Sequence, residues 1–269
     1  MTLQRFRNMA LRACLTGTVA LTGCMVFVGC ASSGSRLTSP ETIMNPYDQT
    51  FGGPVWAVVP LRNESGTTLA DSMVLTDKLI QQADQIDGLT VVPLNRTIEA
   101  MHRLEMSYPQ SPKDLKALAE EMQVDAVLVG SITSYEPYDP PKYGLGLALY
   151  ALPGEMATKG EQSINPQRLI YQPTDYSYFE RIQEADSPVS VIGTTLDGRN
   201  HRVQAELQSY AEGRMRQPSA LGWETYLASM DLFTEFGSWS ALRQLMDREW
   251  VRLSGVNTRG RWVYGERGG

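Results

Sequence analysis

The sequence predicts an α/β fold, a mixed sheet in the order β-α-β-α-β-β with packed helices and a helical C-terminal extension. Three observations point there. Within residues 124–150, Val124, Ala126, Val127, Leu128, Val129 and Ile132 make a nearly continuous apolar run, as expected of a strand covered on both faces. Beyond a turn rich in proline and tyrosine, Leu145, Leu147 and Leu149 alternate with Gly146, Ala148 and Tyr150, the period of a second strand with small residues on one face. Upstream, apolar runs at 55–61 and 89–94 flank a segment with helical spacing. A strand, a helix and a strand within about forty residues suggest a right-handed parallel crossover.

In chain order, residues 1–29 read as a signal peptide. Arg5, Arg7 and Arg12 form its basic start, and no acidic residue precedes Glu41. The apolar stretch 13–29 is too short and too rich in Gly and Thr for a permanent span. A cysteine at the end of such a stretch resembles the lipobox of bacterial lipoproteins, where it receives acyl chains such as palmitate and becomes the first mature residue. Cys30, after Phe27-Val28-Gly29 and before the polar run ASSGS, is the expected lipidation site; Cys24, after Leu21-Thr22-Gly23, is the alternative. Ala31 follows Cys30 where lipoproteins kept at the inner membrane commonly carry Asp, which suggests the outer membrane with the domain facing the periplasm. Residues 30–53 are rich in Ser, Thr, Gly and Pro without a period, the composition of a flexible tether.

Residues 54–152 form the expected α/β domain. After the strand 55–61, the loop from Arg62 to Gly66 leads into a helix at 69–83. Its buried side carries Leu69, Met73, Leu79, Ile80 and Ala83, its outer side Asp71, Asp77 and Lys78, and Thr67 or Thr68 caps it. Gly88 ends that unit. Asn95 caps a helix with Ile98, Met101 and Leu104, and Ser111-Pro112 with Asp114 opens another with the stripe Leu115, Leu118, Ala119 and Met122. The turn at 134–143 contains Pro137, Pro140 and Pro141, which lack an amide hydrogen and do not continue a ladder, and it is long for a hairpin loop.

Residues 153–198 read as an irregular insertion with an edge strand at 189–196, and 199–254 as a helical part packing on the sheet. Its helices fall near 200–215, 220–236 and 238–252, with breaks at Pro218 and Gly237. Trp223, Tyr226, Phe233, Phe236, Trp239 and Trp250 are expected to fill the space between helices and sheet. Residues 255–269 form a basic tail.

The chemistry is sparse. All three cysteines, Cys14, Cys24 and Cys30, precede the body, so neither disulfides nor thiolate metal sites are expected there. The two histidines, His102 and His201, lack metal-ligand spacing and read as surface residues, and no cofactor motif is present. There is no GxSxG elbow or phosphate loop, and Gly144-Leu145-Gly146 reads as close packing within a strand. Glu120-Glu121 and Asp247-Arg248-Glu249 read as solvated helix faces. Removing 1–29 lowers Lys plus Arg from 24 to 21, which against 30 acidic residues gives a charge of −9. Such a body is poorly suited to nucleic acid, and an anchor rather than surface charge would hold it to a membrane. Two candidate contact regions remain. One is the turn carrying Tyr135, Tyr138, Pro140, Pro141 and Tyr143, either a stiff aromatic binding surface or a rigid turn covering the sheet edge. The other is Arg62, Asn63 and Glu64, at the carboxyl end of the first strand, where open α/β sheets bind ligands, or a plain polar loop.

The runs VWAVVPLRNESG, LTVVPLNRTIEAM and LAEEMQVDAVLVGSITSYEPY, within 55–150, together resemble the envelope lipoproteins related to the curli secretion lipoprotein CsgG, the penicillin-binding-protein activator LpoB and the amino-terminal domain of TolB. The resemblance implies an α/β sandwich at the outer membrane that works through protein contacts: a non-enzymatic adaptor with an envelope protein as partner. A subunit of an oligomeric export ring is the alternative, in which 142–152 supplies one membrane strand but no second strand of the required length follows. A hidden envelope hydrolase is the third reading, with the scarcity of histidine against it.

Overall fold

Among the described residues, six strands make one mixed sheet: Val55–Val58 (β1), Arg62–Asn63 (β2), Thr90–Val91 (β3), Ala126–Glu136 (β4), Lys142–Ala151 (β5) and Ser190–Asp197 (β6). Their order is β3-β1-β4-β5-β6, with β2 joined to β4 off this path. β1 runs parallel to β3 and β4, while β4, β5 and β6 are antiparallel. The helices are Ser72–Ala83 (α1), Leu94–Arg103 (α2), Pro112–Met122 (α3), His201–Ala211 (α4), Thr225–Ala228 (α5) and Met230–Leu253 (α6). This is the expected α/β fold. The computed structural model describes residues 40–47, 49, 52–152, 156, 187–214 and 220–254. Cys24, Cys30, the signal peptide, the tail and most of the 153–198 insertion lie outside the described residues.

Alternation along the strands divides the core in two. Trp56, Val58, Leu128, Ile132, Leu145, Leu147 and Leu149 point to one face, covered by α1, α4 and α6. Ala57, Val59 and Val127 point to the other, covered by α2 and α3 through Ala100, Met101, Leu115 and Leu118. β4 therefore carries apolar side chains on both faces, which is why its sequence runs apolar without a break.

Several elements depart from the sequence reading. The tether does not extend to 53: Ile43, Asn45 and Tyr47 are buried, and Met44 bridges Asp87 in parallel, so 40–47 straps onto the core. α1 begins at Ser72, capped by Asp71, whose Oδ1 accepts from the amides of Met73 (2.9 Å) and Val74 (3.2 Å), not by Thr67 or Thr68. The later start leaves Leu69 and Met73 exposed and turns Lys78 inward, where Nζ meets Asp231 at 2.5 Å and Glu235 at 3.2 Å on α6. α2 opens at Leu94 after Pro93, and the Asn95 side chain bonds only its neighbour's amide. α3 is capped as expected, with Ser111 and Asp114 exchanging side-chain-to-backbone hydrogen bonds in a capping box.

The β4–β5 ladder continues through Tyr135↔Tyr143 to Glu136↔Lys142, leaving a loop of only 137–141. The three prolines occupy that loop and interrupt nothing else. Gly237 ends no helix either: α6 runs through it for 24 residues. A Cβ there would stand 2.4 Å from Cδ1 of Tyr143, so glycine leaves the room that this ring takes up.

Glu249 and Trp250 also reverse expectation. Glu249 is fully buried on the sheet side of α6, accepting from Tyr47 Oη (2.8 Å), Ser190 Oγ and the Arg252 guanidinium (2.7 and 2.9 Å). Burial, then the Glu249 charge, pushes the Tyr47 phenol far above its ordinary range, so it remains a donor. Trp250, next along the helix, is half-exposed and does not fill the helix–sheet interface.

Candidate functional site

The face covered by α2 and α3 is only half covered. Those helices reach β1 and the start of β4, while on β5 and β6 the same face presents the cross-strand pairs Gly144↔Thr195, Gly146↔Gly193 and Ala148↔Val191. Val191 is 45% exposed, and a Cβ built on Gly193 meets nothing within 4 Å. Leu145, Leu147 and Leu149 on the opposite face are packed, so the small residues mark which side of these strands has no helix.

A groove of about 390 Å³ follows from that asymmetry. Its floor is Ser131, Gly146 and Ala148, one wall is Val191, and the other is Arg62 with Glu64 and Tyr108. β2 places Arg62 by pairing with Ser131 and Ile132 of β4. Asn63 then fixes the loop: Nδ2 donates to the carbonyls of Thr67 (2.8 Å) and Ala70 (3.0 Å), and Oδ1 accepts from the amide and hydroxyl of Ser65. Asn63 is thereby a positioning residue, whereas Arg62 and Glu64 are open at the rim. The Arg62 guanidinium lies 4.4 Å over the Tyr108 ring. Burial raises the Tyr108 phenol above its ordinary value against the lowering effect of Arg62, with Glu64 adding to the rise, so it is a neutral donor.

The second candidate region is narrower than expected. Tyr138, 74% exposed at the hairpin tip, is its one open aromatic. Tyr143 is 1% exposed and belongs to the core, with Tyr135 packed edge-on against it at 6.4 Å. Pro141 is buried and Pro140 half-buried against Gly198. Tyr143 and Pro141 therefore offer no contact surface: strand alternation past the loop sends them inward.

Sequence reasoning missed Tyr108, whose place in the wall depends on how α2 turns into α3. A larger cleft, about 600 Å³, lies between the strap and α6, but its charges are already paired inside the fold. Arg214 stacks on Tyr210 at 4.1 Å and donates to two carbonyls, Arg243 meets Glu41 at 3.4 Å, and Glu235 meets Lys78. Among the described residues no three His, Cys, Asp or Glu side chains converge as metal ligands, and no helix is long and apolar enough to cross a membrane. The groove thus combines a flat floor, a cation, an anion and a phenol.

No protein-family model and no curated protein matches the chain. Among solved structures it is similar to lipoprotein GNA1162 of Neisseria meningitidis, at 14% identity over 56% of this chain and 91% of that one, with a TM-score of 0.36. It is similar also to the C-terminal domain of LpoB from Salmonella enterica, at 17% identity over 40% of this chain and 79% of that one, TM-score 0.33. A third likeness is to PelC of Paraburkholderia phytofirmans, a dodecamer, at 16% identity over 44% of this chain and 70% of that one, TM-score 0.26.

Proposed function

We propose that the protein is a non-enzymatic, lipid-anchored adaptor of the outer membrane that holds an extended segment of another envelope protein in the groove beside Arg62. The half-covered sheet face carries this reading. Over Ser131, Gly146, Ala148 and Gly193 no bulky side chain keeps an incoming backbone away. Arg62 and Glu64 supply opposite charges at the rim and Tyr108 a hydrogen-bond donor, a pattern that selects sequence as well as shape. The lipobox cysteine and Ala31 support the address. The export-ring reading draws less support: β5, which it would send into the membrane, is hydrogen-bonded along both edges, to β4 and β6.

A photo-crosslinking residue placed at Glu64 or Val191 in cells tests the adaptor reading. The expected outcome is one discrete envelope-protein adduct from both positions, on a protein extracted as a monomer. Ala148→Trp, which fills the groove, should abolish that adduct while the circular dichroism spectrum stays unchanged. Adducts only to copies of this chain, in a symmetric assembly, would replace the adaptor by the ring. No adduct from either position would remove the groove as the contact.

A further inference from the structure

The anchored chain enters the fold at one end of the sheet, and that end carries a cluster of exposed apolar side chains. Met44 is 63% exposed, Trp250 50% and Val251 41%. Met44 and Trp250 are neighbours: Trp250 Nε1 donates to the Met44 carbonyl at 3.3 Å, which brings the strap against the last turns of α6, and Val251 follows Trp250 on that helix. The buried Tyr47–Glu249 and Ser190–Glu249 bonds lie directly beneath.

Strand register gives this end an orientation. Ser190 begins β6 opposite Leu149, and Ala151, at the end of β5, pairs with Ala126 at the start of β4. The far end of the same ladder is Glu136↔Lys142, from which the loop bearing Tyr138 projects. Eleven residues of β4 at about 3.3 Å each separate the two ends by roughly 35 Å. Ten peptide units join Cys30 to Pro40, a reach of at most about 35 Å even when fully extended. The end that carries Met44 and Trp250 is thus the one the tether confines within about 35 Å of the lipid, a limit to which the loop bearing Tyr138, roughly 35 Å further along the sheet, is not held.

We infer that Met44, Trp250 and Val251 form a face that rests in the interfacial layer of the bilayer bearing the anchor. The inference rests on the lipid-anchor reading. Thioether, indole and valine fit the acyl boundary, and an indole with its N–H already bonded is suited to that depth. The occupant is the lipid surface rather than another protein because the tether delivers that surface to this end at high effective concentration. Three side chains would not hold a body of charge −9 to anionic lipid unaided; the acyl chains anchor it and the patch orients it. Resting there, the domain points Tyr138 away from the bilayer and leaves the Arg62 groove on its flank.

The test uses the full lipidated chain in phosphatidylethanolamine–phosphatidylglycerol vesicles. An environment-sensitive label is placed at Met44→Cys, at Val251→Cys as a second reporter, and at Tyr138→Cys as the distal control; with 1–29 removed and Cys30 lipidated, the label meets no other thiol. Flotation with the vesicles, lost in the variant lacking the lipidated cysteine, reads the anchor separately. The expected result is a blue shift and loss of most emission to nitroxide-bearing lipid at positions 44 and 251, with neither at 138. Vesicle-bound protein whose labels at 44 and 251 stay as wet as that at 138 would overturn the inference and leave the anchor standing. Failure to float, or flotation independent of the cysteine, would remove the anchor reading and this inference with it.

Discussion

Glu249 shows how much a single side chain can concentrate. It is a buried carboxylate whose partners come from the strap, β6 and its own helix: Tyr47, Ser190 and Arg252. Glu249→Ala strips two buried hydroxyls of their acceptor, each worth about 1–3 kcal/mol. Arg252, partly exposed, turns to water at lower cost. A total loss of roughly 3 kcal/mol follows, read as a lower urea midpoint, with Glu249→Gln recovering part of it because the amide oxygen still accepts. A shift too small to measure would mean that the strap is held by apolar packing alone. Nothing in the sequence marks this residue: in Asp247-Arg248-Glu249 all three look like solvent-facing helix positions, and only the 100° step between neighbours separates the buried one.

At the level of elements, α3 and α6 show opposite degrees of legibility. Ser111, Pro112 and Asp114 spell out a helix start because capping is local chemistry. Their bonds also carry a pH signature. The Asp114 carboxyl is held below the ordinary carboxylate range, first by the Gln110 amide and then by the Ser111 hydroxyl and amide. A depressed folded-state pKa gives stability present above the unfolded carboxylate's range and lost as pH falls through the folded value. Asp114→Asn should therefore cost stability at neutral pH, converge on the wild type as pH falls through the folded value, and so flatten the acid limb of the stability–pH profile; an unchanged limb would assign the acid sensitivity elsewhere.

α6 was misread because its one glycine looks like punctuation, whereas the reason for it lies across the core in Tyr143. Gly237→Ala would gain about 1 kcal/mol in helix propensity. It would also drive a methyl to 2.4 Å from the Tyr143 ring, an overpacking cost of about 1–3 kcal/mol. Net destabilisation is expected, and it should vanish or reverse on a Tyr143→Ala background, where the ring is gone. Equal effects on both backgrounds would show that the two residues do not compete for the same space.

For the whole molecule, the α/β class was legible because alternation and apolar runs report which strand faces are covered. β4 reads as doubly buried, and β5 announces its small side through Gly144, Gly146 and Ala148. That this side is open at Gly146 and Ala148 and closed at Gly144 by Thr133 was not legible, since a stripe of glycine and alanine is equally the mark of a helix packed very close. Arg62, Asn63 and Glu64 were legible as a loop, but their division into rim and support depends on bonds from Asn63 to residues four and seven positions on. Tyr138 and Tyr143 look alike in sequence; one tips the hairpin and the other lies in the core.

The strap has a mechanical meaning. A pull applied to the N-terminal side of the domain enters at Pro40 and meets the Met44–Asp87 bridge and the Tyr47–Glu249 bond before it loads a strand of the sheet; in the proposed adaptor, that pull would come from the anchor and the held partner. In a force-extension experiment pulling at Pro40, these side contacts should part first, releasing eight residues, 40–47, as an early step of roughly 25 Å ahead of the main rupture. Glu249→Ala should lower the force of that first step, and the second as well though less, because Ser190 of β6 also loses its acceptor. The domain would then carry a short shock absorber in series with its tether, able to yield without giving up the fold.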